Sequence, residues 1–284
     1  SMSVFNDDLT LNIDKTIKHA EMVIDKGCHG AAIFGSTGQA QLISISEKIN
    51  LFNQLSKSKY REKYIIGTGL NSLSETLNLM SVARSLNFKK FLIMPPAFYK
   101  YSDNNVIDFY SKIIDANPDC EIVLYNFEKL CGYKFSGECV QELVKLFPEQ
   151  IIGVKDSSYN LFENLKIDNF SILPGSESKL LKGLELGCDG IITATTNITG
   201  TLAREVYDGF KNNSDLSSNK KLCDVRGCFE KYNLISGLHT VMSEKNKIFE
   251  NLLPPLKLLD TNKKKEILTN LANLEFEIAN LKAA

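Results

Sequence analysis

Short, β-rich apolar runs alternate with helix-period stretches along most of this chain, and that alternation constrains the fold more than any other feature. Ile13, Ile17, Ala20 and Ile24 recur at spacings of four and three, the stripe of one amphipathic helix. The run 30–34 then reads as a buried strand, stopped by Gly35-Ser36-Thr37-Gly38. Ser46 is expected to open a second helix, with Leu51, Phe52 and Leu55 on its inner face. Residues 64–66 form the next strand, closed by Gly67-Thr68-Gly69, and Leu73, Leu77, Met80 and Ala83 mark the helix after it. A strand over 91–94 halts at Pro95-Pro96, since proline offers no ladder donor. Val106, Phe109, Ile113 and Ile114 mark a helix ending before Pro118. The pattern then predicts strands over 121–125, 151–154, 171–173 and 190–193. Helices are expected over 137–147, within 158–166, and over 177–187 and 200–212.

Strands separated by helices of this length imply right-handed βαβ units and a parallel sheet. Seven strands follow the first helix, and residues 1–5 supply a short eighth. The expected fold is therefore α/β, a (β/α)8 TIM barrel over 1–212 whose first strand is its least defined part. A polar linker over 212–219 leads into a helical extension, 213–284, broken at Pro254-Pro255. Its last segment carries Ile267, Leu271, Leu274, Ile278 and Leu281 on one stripe, behind a solvated Lys263-Lys264-Lys265 face.

Composition removes several function classes. With 43% hydrophobic residues the chain can bury a sizeable core, and a net charge of -1 argues against a nucleic-acid surface or a basic membrane patch. No apolar run approaches the ~20 residues of a membrane span, and residues 1–20 lack a signal-peptide core, so a cytoplasmic protein is expected. Seven cysteines without a CxxC pair read as reduced, mostly buried thiols. Three dispersed histidines give no metal-ligand spacing, so no metal and no cofactor are expected.

In a barrel of this kind the chemistry sits at the C-terminal ends of the strands. Among those ends, Ile151-Ile152-Gly153-Val154-Lys155-Asp156 places a lysine at the end of an apolar strand. Burial penalises an ammonium, so such a lysine either snorkels to water or serves as an amine nucleophile. Tyr125 ends the neighbouring strand and reads either as a core tyrosine or as a proton carrier. Ser36 and Thr37, between glycines, read as a plain turn or as an anion-binding loop that offers amides and hydroxyls. Together they fit attack of an amine on the ketone of a 2-oxo acid, a Schiff base, and a tyrosine that moves protons.

Taken in order, Gly35-Ser36-Thr37-Gly38-Gln39, Gly67-Thr68-Gly69, Tyr125-Asn126, Gly132, Ile152–Asp156, Gly175, Gly187-x-Asp189-Gly190 and Leu253-Pro254-Pro255-Leu256 resemble the dihydrodipicolinate synthase/N-acetylneuraminate lyase superfamily of pyruvate-dependent class I aldolases. The resemblance implies Lys155 as the Schiff-base lysine, Tyr125 as the relay tyrosine, and Ser36, Thr37 and Gly38 around the pyruvyl carboxylate, with Ser36 passing protons to Tyr125. It implies pyruvate as substrate and a homo-oligomer, dimer or tetramer. Departures from the family pattern are Gln39 for a glutamate, Glu128 for a proline, and Leu130 where synthases carry a carboxylate-binding arginine. Phe98 stands for a tyrosine lent across a dimer interface, with Tyr99 beside it as a substitute. Glu177 keeps one half of the acidic pair that lyases turn toward sugar hydroxyls, while Ser178 replaces the other. Thr195 is a further candidate at the rim. These departures favour reversible aldol cleavage of a 2-keto-3-deoxy sugar acid or a neuraminate-like substrate. A dihydrodipicolinate synthase, using pyruvate and aspartate semialdehyde, and a non-catalytic 2-oxo-acid-binding regulator are the alternatives.

Overall fold

Six strands pair side by side in chain order, every neighbour parallel: β1 (Ala31–Ile33), β2 (Tyr64–Gly67), β3 (Lys90–Ile93), β4 (Glu121–Asn126), β5 (Ile151–Asp156) and β6 (Ser171–Pro174). The computed structural model describes residues 1–278. A helix, α1 (Ile13–Asp25), precedes the sheet, and α2 (Ile45–Leu55), α3 (Leu73–Ser85), α4 (Asp103–Ala116) and α6 (Gly137–Leu146) fill the crossovers, with the single turn α5 (Glu128–Cys131) ahead of α6. After β6 come α7 (Leu180–Glu185) and α8 (Thr196–Lys211), then α9 (Ser218–Gly227), α10 (Leu234–Ser243) and α11 (Thr261–Asn273).

Local chemistry sets these ends. Ser44, rather than the expected Ser46, caps α2 in a capping box with Glu47, which satisfies amides at the helix start from both directions. Ser72, Ser136 and Asp260 cap α3, α6 and α11 in the simpler way. The helix expected within 158–166 is absent. The Asp156 carboxylate accepts the amides of Tyr159 (2.9 Å), Leu161 (2.9 Å) and Phe162 (3.0 Å), and folding around that side chain replaces a helical ladder.

Both faces of the sheet are apolar, which is why its strands read as continuous hydrophobic runs. Ile33, Ile66, Phe91, Ile122, Leu124 and Val154 pack outward on Phe52, Met80, Ile113 and Leu143 from the helices. On the other face Leu92, Val123 and Tyr125 meet Ala32, Ile65, Ile152, Leu173 and Ile192, and the sheet curls round this second cluster. A fully buried Leu or Phe contributes roughly 1.5–3 kcal/mol. Exposed ion pairs such as Lys112–Asp108 contribute about 0–1 kcal/mol, so burial dominates.

The seventh and eighth expected strands are not regular strands among the described residues. Residues 189–192 run beside β6, through Asp189 N–H to Ile172 O (3.3 Å) and Ile192 N–H to Pro174 O (3.2 Å), but Gly190 at φ 150° interrupts the extended run. Residues 1–5 contribute the Ser1 amine to Ala32 O (2.8 Å) and one antiparallel bridge, Phe5 to Leu11. Beyond α8, Val225, Phe229, Leu238, Val241, Ile267 and Leu271 form a further cluster that Met2, Val4 and Ala194 join. The last helix stops at Asn273, with Leu274 as its C-cap, short of the expected stripe. Ile278 still packs on the cluster, and Leu281 lies outside the described residues. Cys120, Cys131, Cys139 and Cys188 are buried, and all seven cysteines are free thiols.

Candidate active site

The pairing of β4 with β5 decides which way Lys155 points. Ile122 is opposite Ile151, both facing the helix layer, but Val123 is opposite Gly153, so Ile152 is an extra residue in β5. Without that bulge, alternation would turn Val154 inward beside Tyr125 and Lys155 outward. With it, Tyr125 and Lys155 are directly paired inside the curled sheet, and Val154 packs outward. Gly153 is required here for space, since a Cβ would lie 2.6 Å from Ser171 O on β6.

Lys155 Nζ stands 4.1 Å from the centroid of the Tyr125 ring, and both residues are buried. Among the described residues no carboxylate pairs with Lys155. The adjacent Asp156 faces the other way, held by the three loop amides and by Asn126 Nδ2 (2.8 Å). The lysine therefore has an aromatic face beside it instead of a counter-ion, and its nitrogen is not engaged in an ion pair.

Across the interior, Ser36 Oγ lies 2.9 Å from the Tyr125 hydroxyl. Ser36–Gly38 form one 3-10 turn between two residues in left-handed backbone, Phe34 (φ 59°) and Gln39 (φ 56°). Such conformations cost about 1–3 kcal/mol each and persist where surroundings fix them. Gly67 fixes one side, because a Cβ there would lie 2.3 Å from Phe34 O. On the other side Gln39 Oε1 accepts from Leu253 N–H (2.9 Å), so Gln39 Nε2 is the donor to His239 Nε2 (3.2 Å). The His239 proton is then on Nδ1, donated to Phe249 O (2.9 Å). Burial holds His239 neutral and lowers its pKa to about 4. Inside the turn Gly38 and Gln39 N–H are taken by Gly35 and Ser36 carbonyls, which leaves the Ser36 and Thr37 amides outside the turn's own bonds. Under the Gly67-Thr68-Gly69 strand end, buried Lys48 donates to Thr68 O (3.0 Å), with a pKa lowered to about 8 by burial.

Glu177 and Thr195 meet a residue that sequence reasoning missed. Glu177, fully buried, accepts from Thr193 Oγ1 (2.8 Å), Thr199 Oγ1 (3.3 Å) and Arg226 Nη1 (3.3 Å). Arg226 Nη1 also reaches Thr193 Oγ1 (3.3 Å) and Thr195 Oγ1 (3.2 Å). Arg226 comes from α9, in the helical extension. The available signal was its position four residues after the buried Leu222 and next to the buried Val225.

A profile of the dihydrodipicolinate synthetase family matches residues 1–274. The chain belongs to that family. A 4-hydroxy-tetrahydrodipicolinate synthase from Listeria monocytogenes is 31% identical over 205 residues, 69% of each chain. A 2-dehydro-3-deoxy-D-gluconate/2-dehydro-3-deoxy-phosphogluconate aldolase from Picrophilus torridus is 26% identical over 230 residues, covering 78% of this chain and 85% of its own. A prophage protein of the dihydrodipicolinic acid synthase family from E. coli K12, solved with pyruvate, superposes with TM-score 0.87 at 21% identity over 97% of both chains.

Several positions where this dihydrodipicolinate synthetase family member departs from the expected pattern lie away from the lysine–tyrosine pair. Phe98 is 90% exposed at φ 78° and Tyr99 is 78% exposed, so within this chain neither completes a relay to Tyr125, whose hydroxyl partner is Ser36. Leu130 on α5 is 44% exposed. Lys134, four residues beyond Leu130, pairs with Glu128 (3.5 Å). Among the described residues no helix is long and apolar enough to cross a membrane.

Proposed function

We propose that this chain is a lysine Schiff-base lyase that breaks, and in reverse forms, the carbon–carbon bond beside a pyruvyl group. The observation that carries the reading is the buried Lys155 over Tyr125, with the Tyr125 hydroxyl bonded to Ser36 on the glycine-flanked loop. The sheet is read as the family's (β/α)8 barrel, with residues 1–5 and 190–193 in the two remaining strand places and 213–284 as its helical extension. Phe98 and Tyr99 are read as side chains that meet a second copy of the chain.

In this mechanism the neutral Lys155 amine adds to the C2 ketone of the substrate, and the Tyr125 hydroxyl gives its proton to the departing carbinolamine oxygen, which leaves as water from a protonated imine. The resulting Tyr125 phenolate takes the proton of the C4 hydroxyl as the C3–C4 bond breaks. The bonding electrons pass into the imine, giving an enamine and an aldehyde. Protonation at C3 and hydrolysis return pyruvate and the free lysine. Ser36 and Thr37 amides hold the carboxylate, and the Ser36 hydroxyl shares the Tyr125 proton.

A 2-keto-3-deoxy sugar acid is the favoured substrate class, in line with the activity named for the P. torridus relative. The synthase reaction is second. It needs a charged contact for aspartate semialdehyde, and a leucine at 130 forgoes roughly 1.5–3 kcal/mol of charge-assisted hydrogen bonding. Borohydride reduction with pyruvate, followed by peptide mapping, tests the chemistry. A pyruvyl mass on the Lys155 peptide, absent in Lys155→Ala, is expected. An unmodified wild-type peptide refutes the mechanism, and imine without turnover of keto-deoxy acids points to a binding protein.

A further inference from the structure

Arg226 Nε is a buried polar atom without a hydrogen-bond partner among the described residues, while its Nη1 is held by Glu177, Thr193 and Thr195. A buried donor left unpaired is costly, and native structures retain one where something else pairs it. The nearest acceptor recorded for it is Glu230 Oε1 at 3.8 Å, an ion-pair distance too long for a hydrogen bond. The Arg226 side chain is 11% exposed and that of Glu230 59%, so the gap between them is reachable from solvent.

Register fixes where this gap lies. Pro174 pairs with Asp156, the residue after Lys155, and Ile192 N–H bonds to Pro174 O. Glu177 is three residues past Pro174, and Thr193 is one past Ile192. The cluster thus stands at the same end of the sheet as Lys155, one and two strands along from it. Tyr159, on the loop after β5, stands beneath Lys179 Nζ (5.7 Å to the ring). Burial raises its pKa, with the Arg226 charge opposing that rise and Glu177 and Glu230 adding to it. Two carboxylates and two cations balance there. Such a place offers no net attraction to a phosphate or a second carboxylate, but it offers one donor and one acceptor to a hydroxyl.

We propose that Arg226 Nε and the Glu230 carboxylate together bind a hydroxyl group on the aldehyde half of the substrate, with the Glu177–Thr193–Thr195 cluster fixing the guanidinium plane. The hydroxyl oxygen accepts from Nε and its proton goes to Glu230. The site selects neutral, hydroxylated aldehydes over deoxy ones, because an aldehyde without the hydroxyl leaves Nε unpaired. This rests on the Schiff-base reading of Lys155.

The test is condensation of pyruvate with glyceraldehyde and with propanal, in wild type, Arg226→Lys and Glu230→Ala. Arg226→Lys keeps a cation for Glu177 and removes the Nε donor. Glu230→Ala alters an exposed residue and guards against a folding defect in the first variant. Borohydride trapping of pyruvate is the control. Expected are trapping as in wild type, a ten- to hundredfold loss of kcat/KM for glyceraldehyde in both variants, mostly in KM, and less than threefold change for propanal. An equal loss for both aldehydes overturns the proposal and leaves Arg226 a packing residue. An unchanged glyceraldehyde KM overturns it as well. No trapping in wild type overturns the Schiff-base reading and this one with it.

Discussion

In the proposed mechanism Lys155 and Tyr125 divide the work of one site. The amine needs a lone pair, and the aromatic face beside it supplies no proton acceptor, so the phenol and Ser36 are the groups placed to move protons. Tyr125→Phe keeps the ring against Lys155 and removes the hydroxyl. The expected outcome is imine trapping at wild-type extent with kcat lowered by about 10²–10⁴-fold, read by comparing borohydride labelling with steady-state cleavage. Loss of both together would show that the ring position, not the proton, was altered. That Lys155, Tyr125 and Ser36 come together was legible in the sequence because each closes a strand run. Arg226 was not, because its partners Glu177, Thr193 and Thr195 come from two other segments and no local period joins them. Glu177 was legible as a residue but not in its situation, since a fully buried carboxylate tied to an arginine is not free for a sugar hydroxyl.

At the level of elements, β5 carries the decisive irregularity. The run 151–154 announces a strand, but hydrophobicity cannot report a bulge when both faces of the strand are apolar. Ile152 is at home on the inner face and Val154 on the outer one, so the shift left no mark in the pattern. Deleting Ile152 should remove the extra residue and leave simple alternation, with Gly153 still opposite Val123 and Lys155 still opposite Tyr125. Expected is a chain with near-native far-UV circular dichroism that still forms the pyruvyl adduct. Loss of labelling would mean that the strand slipped by one residue and turned Lys155 into the helix layer. The segment after β5 was misread for a related reason. Asp156 satisfies loop amides that an isolated segment would place in a helix, and that choice is made by a side chain already locked to Asn126.

For the whole molecule, six strands and the crossover helices α2, α3, α4 and α6 were legible because each repeats one unit of hydrophobic periodicity. The edges of the sheet were not, since residues 1–5 and 189–192 are held by a few isolated hydrogen bonds that carry no period. Burial of two histidines makes stability depend on acidity. His239 is neutral in the fold, with a pKa near 4, and its ordinary value is near 6.5. The unfolded chain therefore binds a proton that the folded one refuses between those values. Stability falls as pH drops from about 6.5 toward 4, by up to about 3 kcal/mol for this residue. His19 behaves alike, its pKa also lowered to about 4 by burial. Urea unfolding at a series of pH values should show that slope, and His239→Gln should remove about half of it. An identical slope in the variant would assign the effect to other groups.

The tie from Gln39 to Leu253 and His239 also sets an order of events during synthesis. Ser36, Tyr125 and Lys155 are all translated before Arg226 and well before Leu253. Yet the loop that carries Ser36 gains its far anchor only after the chain around Leu253 has left the ribosome. A nascent chain with all six strands exposed thus holds Lys155 and Tyr125 beside a loop not yet fastened, and the setting of Ser36 is complete only once residues near Leu253 have emerged.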